Sequence, residues 1–174
     1  MMNFSLSTWL KQHRMTVGGI LLGIAITSYS TTANSQLSAA NVPLSASTLI
    51  ASVQPSESDA VQVIRDYYSA INRRDYKQAY SILSGATQQS FEQFKQGFAN
   101  TKTTTVKIGK PGEIDGAAGS LNIEIPVSIT ATTKNGTRQS FRGSYVLRRV
   151  NNVPGSTAQQ RRWHISSAKI TQVN

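Results

Sequence analysis

Residues 121–131 read Leu121-Asn122-Ile123-Glu124-Ile125-Pro126-Val127-Ser128-Ile129-Thr130-Ala131, with an apolar side chain at every odd position and, Pro126 apart, a polar one at every even position. Successive side chains of a strand point to opposite faces, so this alternation predicts one strand with a buried face and a wet face. Pro126 falls on the wet face and has no N–H to give to a ladder. It predicts either a bulge or a locally free edge.

The neighbours follow from phase. Downstream, Phe141, Tyr145 and Leu147 share one face across the turn Thr133-Lys134-Asn135-Gly136-Thr137. A two-residue turn would set Ile129 against Arg142. A three-residue loop, Lys134-Asn135-Gly136 with Gly136 in the left-handed region, sets Ile129 against Phe141 and Ile125 against Tyr145, and is the expectation. A last strand is expected over Arg161–Val173, with Leu147 opposite Trp163 and Tyr145 opposite Ile165. Beyond Ile165 the apolar phase slips to Ala168 and Ile170, which calls for a bulge at Ser166-Ser167. Upstream, Thr101–Gly109 carries Val106 and Ile108 in phase until Pro111-Gly112 stops it.

Before residue 100 the period is helical. Ser56-Glu57-Ser58-Asp59 supplies capping acceptors and carboxylates to a helix start, and Ala60, Ile64, Tyr67 and Ile71 recur at helical spacing up to about Arg73. Asp75 can cap a short helix, Tyr76 to Leu83, ended by Gly85. Ser90-Phe91-Glu92-Gln93 matches a capping box for a third helix bearing Phe91, Phe94 and Phe98. Three N-terminal helices packed in the concave face of a curved antiparallel sheet of at least four strands make an α+β domain over residues 56–174.

The remainder of the chain reads differently. Lys11, His13 and Arg14 precede the uncharged apolar run Thr16–Thr27, which is too short to cross a membrane and of the right length for a signal peptide. Residues 1–35 are expected to be that signal, cut after Ala33 or Ser35, or later at Ala40. Residues 36–55, rich in Ser, Thr and Ala and without charge, are expected to be a flexible linker. These features predict a periplasmic or secreted protein that meets a membrane only during export.

The stretch Tyr67-Tyr68-Ser69-Ala70-Ile71-Asn72-Arg73-Arg74-Asp75-Tyr76-Lys77-Gln78-Ala79-Tyr80 and the ending Arg162-Trp163-His164-Ile165 resemble the nuclear transport factor 2-like superfamily of cone-shaped α+β domains, over about residues 56–173. Within it the chain is similar to small exported bacterial members of unassigned role. The resemblance implies a pocket between sheet and helices, lined by Tyr67, Tyr68, Tyr80, Phe94, Tyr145 and Trp163. It also implies the possibility of a homodimer through the outer face of the sheet, where Arg142, Val146 and His164 lie. It does not fix an activity, because the superfamily hosts enzymes and binding modules alike.

Composition narrows the chemistry. The 174 residues hold 18 Lys and Arg against 8 Asp and Glu, a formal charge of +10, and no cysteine. That excludes disulfides, thiol nucleophiles and Cys-ligated metals, and two histidines give a metal little to bind. No nucleotide-binding or calcium-loop motif occurs, so neither cofactor nor metal is expected. Among acid–base candidates, Asp66 lies on the polar side of the first helix and His164 alternates away from the core, so the sequence brings no acid and base together; these are the weak catalytic candidates. The expected register sets Arg149 opposite Arg161 and Arg148 opposite Arg162. Like charges so placed cost a few tenths to about 1 kcal/mol, which an anionic partner would offset, as could Glu113 or Asp115. Nucleic acid is not favoured, because no basic stripe interleaved with aromatics appears. The expected function is a non-catalytic exported binding or interaction domain of the bacterial cell envelope, holding a small ligand in the pocket or an anionic envelope component or protein on the arginines. The alternative is a small-molecule pocket enzyme of the isomerase or dehydratase type.

Overall fold

A computed structural model describes residues 56–83, 89–117 and 119–173. The expected signal, the linker and the Gly85 helix stop lie outside these. Three helices come first: α1 (Glu57–Asn72), α2 (Tyr76–Ser81) and α3 (Phe91–Gly97). Five strands follow: β1 (Thr101–Ile108), β2 (Asp115–Ala117), β3 (Ser120–Thr133), β4 (Arg138–Val150) and β5 (His164–Val173). All pair antiparallel in one sheet of order β1-β3-β4-β5, with β2 alongside β3. The expected α+β class holds, and the sheet of at least four strands has five, β2 being the one whose span was not foreseen. Three residues, Asp115–Ala117, are too few for an alternation to show.

Local chemistry sets the helix ends. Ser56 and Asp59 close a reciprocal capping box on α1, and Ser90 and Gln93 close one on α3. The turn out of α1 is a Schellman closure: Asp75 N–H donates to Ala70 O and Arg74 N–H to Ile71 O, both at 2.9 Å. Arg74 occupies the left-handed position with φ 63°, where glycine is usual. Asp75 then accepts from Gln78 N–H at 3.1 Å and starts α2. Thus Asn72-Arg73-Arg74-Asp75 is a compact helix-to-helix joint.

The same motif ties α1 to the sheet. Asn72 Oδ1 accepts from Thr104 N–H (2.7 Å) and Thr104 Oγ1–H (2.9 Å), and Asn72 Nδ2–H donates to Thr104 O (2.8 Å). A side-chain amide thereby takes the place of a neighbouring strand along the open side of β1.

The β3–β4 register is the expected one, with Ile129 opposite Phe141 and Ile125 opposite Tyr145. The loop is Lys134-Asn135-Gly136, with Gly136 at φ 89°. No bulge interrupts β3 against β4. Pro126 instead faces the gap between β1 and β2, where Gly109 N–H reaches its carbonyl and Gly112 N–H reaches that of Glu124, both at 2.8 Å. This is the free-edge solution.

The last strand needs correction. It begins at His164 rather than Arg161, and Leu147 pairs with Ile165, Tyr145 with Ala168 and Arg148 with His164. Residues before it coil instead of extending: Arg161 N–H reaches Thr157 O and Arg162 N–H reaches Gln159 O, each at 3.1 Å. The opposition of Arg149 to Arg161 and of Arg148 to Arg162 therefore does not form. The bulge falls where expected, with Ser166 as the extra residue between the Leu147–Ile165 and Val146–Ser167 pairs. It lets Ile165, Ala168 and Ile170 share the core face.

One core joins the layers. Ala60, Ile64, Tyr67, Tyr68 and Ile71 from α1 pack with Phe94 and Phe98 and with the inward residues of β3, β4 and β5, Trp163 included. Gly143, at φ 156°, lets β5 approach closely: a Cβ there would stand 1.8 Å from Lys169 O.

Candidate functional site

Of the six residues expected to line an interior pocket, five belong to the buried core and Tyr80, half-buried, packs against it. Tyr67, Tyr145 and Phe94 are fully buried. Their rings meet edge-on or tilted, with centroids 5.2 Å apart for Tyr67–Tyr68, 6.3 Å for both Tyr67–Phe94 and Tyr67–Tyr145, and 5.4 Å for Tyr80–Phe94. Tyr80 donates to Gln89 O at 2.6 Å, and the Tyr68 and Tyr145 hydroxyls bond each other at 2.7 Å. Tyr67 Oη is buried without a partner. Burial raises the pKa of all three inner phenols. For Tyr67 and Tyr68 their aromatic neighbours add to the rise, and for Tyr145 the bond to Tyr68 offsets part of it. At neutral pH they are neutral hydroxyls inside an apolar layer.

Trp163 also borders a cleft. This cleft, about 470 Å³, opens where the end of β4 and the start of β5 meet the helices. From α1 it takes Asp59, Val63 and Asp66, a helix edge at spacings of four and three. From the end of α2 it takes Gln78, Ser81 and Ile82, held in place because Ile165 N–H donates to Ile82 O at 3.0 Å and Leu83 bridges to Ile165. Arg149, Gln159, Arg161, Arg162 and His164 complete it.

Three of the four expected arginines thus converge, by a different route from direct cross-strand opposition. Arg149 shares the inward face of β4 with Leu147, and its guanidinium carbon lies 6.0 Å from the Trp163 ring centroid. Arg161 donates to Ser156 O (2.6 Å) and Oγ (3.1 Å), which fixes the preceding loop. Arg148 points to the outer face and stands apart from the cleft. Arg149 Nε and Trp163 Nε1 are buried donors without an acceptor. Such orphans cost about 1–3 kcal/mol each.

Asp66 and His164, which the sequence sets apart, both border this cleft. They are not bonded to each other. Asp66 accepts from Gln62 at 2.8 Å. His164 Nδ1 lies 2.8 Å from Arg162 O, and because a carbonyl only accepts, Nδ1 carries the proton; Nε2 is left to take the Gln159 amide at 3.3 Å. Asp59 is held by the helix cap. No cluster of potential metal ligands occurs among the described residues.

Asp59, Val63, Gln78, Ser81, Ile82 and Gln159 were not foreseen as lining. Only the Asp59–Val63–Asp66 spacing gave a signal. The others arrive through the irregular 151–163 segment and the α2–β5 bridge, which leave no periodic trace.

No family model and no curated protein sequence matches the chain. Solved structures match in shape. A candidate aromatic ring hydroxylase from Novosphingobium aromaticivorans aligns with a TM-score of 0.51 at 13% identity, over 70% of this chain and 93% of that one. A conserved protein from Planctomyces limnophilus aligns at 0.50 and 10% identity, over 67% and 97%. A nuclear transport factor 2-like superfamily protein from Salmonella enterica serovar Typhimurium aligns at 0.47 and 14% identity, over 67% and 92%. The chain shares its α+β fold with the first two of these structures, and at these identities the likeness is one of fold alone.

Proposed function

We propose that this chain is a non-catalytic binding domain, exported to the bacterial envelope, that holds a small anion in the cleft at the end of β4 and β5. One observation carries the reading: Arg149, Arg161 and Arg162 line a single cleft, and two of its lining residues, Arg149 and Trp163, keep a buried donor without an acceptor. Guanidinium groups match the paired oxygens of carboxylate and phosphate, and an anion supplies what these donors lack. The aromatic layer below the cleft stabilises the domain and holds the wall that carries Trp163. Export rests on the reading of residues 1–35.

Titration calorimetry of the protein with phosphate, sulfate and succinate tests this. Saturable binding weakened at least about tenfold by Arg149→Gln, and not weakened by Asp66→Ala, is the expected outcome. Absence of binding by all three anions would overturn it.

A second reading is favoured by the shared position of Asp66 and His164 on the cleft. An isomerase- or dehydratase-type enzyme would use such a pair to move a proton. Turnover that falls in Asp66→Ala or in His164→Ala would select it.

A further inference from the structure

The opposite face of the sheet has its own charge pattern. On β4, Arg138 and Arg142 are exposed and point outward; Lys169 stands opposite Ser144, the next outward position, and Lys107 reaches the level of Arg142 through Ser128. At about 3.3 Å per residue, the file Arg138–Arg142–Lys169 is roughly 20 Å long, and two strand spacings set Lys107 about 10 Å to its side.

The other outward positions in this half are almost all hydroxyls: Thr103, Thr105, Ser128, Thr130, Thr132, Ser140 and Thr171. No acid is among them. The outward acids, Asp115 and Glu124, lie toward β2, and Glu124 already accepts from Ser144 Oγ at 2.5 Å. A groove of about 370 Å³ runs here, with Lys107 and Arg142 in its lining and Ser128 between them.

From this we infer that the outer face beside the Thr133–Thr137 turn is a docking track for a linear polyanion. Cations in file without counter-charges, flanked by hydroxyl donors, fit a chain of repeated negative groups better than one compact anion. Val173, opposite Ser140 at the rim, is the one large exposed apolar side chain among the described outward positions here, too little for the apolar centre that subunit interfaces bury, which argues against a second copy. The track lies apart from the arginine cleft, and the two stand or fall separately.

Long-chain inorganic polyphosphate tests it, with the protein, the triple variant Lys107→Gln/Arg142→Gln/Lys169→Gln, and Arg149→Gln. The track predicts that polyphosphate binds far more tightly than orthophosphate. It also predicts that the triple variant binds about tenfold or more weakly at an unchanged melting temperature, and that Arg149→Gln binds as the parent does. Four phosphate contacts released as counterions should also cost roughly 50-fold in affinity between 50 and 200 mM salt. Equal binding by the triple variant, binding to anionic vesicles but not to polyphosphate, or a dimer that the triple variant splits would each overturn it.

Discussion

Replacing Asn72 by alanine removes three hydrogen bonds at once. Asn72 serves both the N–H and the C=O of Thr104, together with its hydroxyl, at 2.7–2.9 Å. Thr104 is 4% exposed, so water has little access to the groups left behind. At about 1 kcal/mol net per hydrogen bond, the loss is about 3 kcal/mol, and the penalty for stranded buried groups holds it there or above. For a domain of this size that is a fall in melting temperature on the order of 10–15 °C. Thr104→Ala deletes only the hydroxyl bond and should cost about 1 kcal/mol. Because both variants break the same tie, the double variant should cost less than the two singles together. Thermal and urea unfolding followed by circular dichroism gives all three values. A melting temperature for Asn72→Ala within about 3 °C of the parent would refute the view that this amide substitutes for a missing strand beside β1.

Other substitutions probe the remaining claims. Gly143→Ala must push β5 off β4, since its Cβ would stand 1.8 Å from Lys169 O, and a loss of about 3 kcal/mol or more in urea unfolding is expected. Arg74→Gly relieves a left-handed residue and should stabilise by roughly 0.5–1 kcal/mol, whereas a drop in stability would mean the side chain holds something else. Tyr68→Phe strands the Tyr145 hydroxyl at a cost of about 1–3 kcal/mol, and adding Tyr145→Phe should recover part of it. With pH the sign is set by the raised phenol pKa values. The folded state keeps protons that the unfolded chain gives up, so stability is flat below about pH 10 and falls above it, by at most about 1.4 kcal/mol per pH unit for each buried phenol. Loss of stability between pH 8 and 9 would contradict this.

Much of the architecture was legible because it rests on periodicity and short-range chemistry. The alternation from Leu121 to Ile129, with the phase of Phe141, Tyr145 and Leu147, fixed both register and loop length. The Ser56 and Ser90 caps and the Asp75 joint are local patterns that need no tertiary context. The failures share a cause. Arg161 sits in phase with Trp163, so alternation alone carried β5 three residues too far, whereas turn bonds to Thr157 and Gln159 coil Arg161 and Arg162 away. The cleft was invisible for the same reason. It gathers an α1 edge, the end of α2 and an irregular loop, so Asp66 and His164 border one cleft without any periodic trace in the sequence.

The central claim is that Arg149, stacked near Trp163, anchors an anion. The chain holds two tryptophans, Trp9 and Trp163, so a Trp9→Phe protein reports from the cleft alone. Titrating it with phosphate, sulfate and succinate while following indole emission should give a saturable change that Arg149→Gln abolishes. A flat signal with every anion, or one that persists unchanged in Arg149→Gln, would contradict the account.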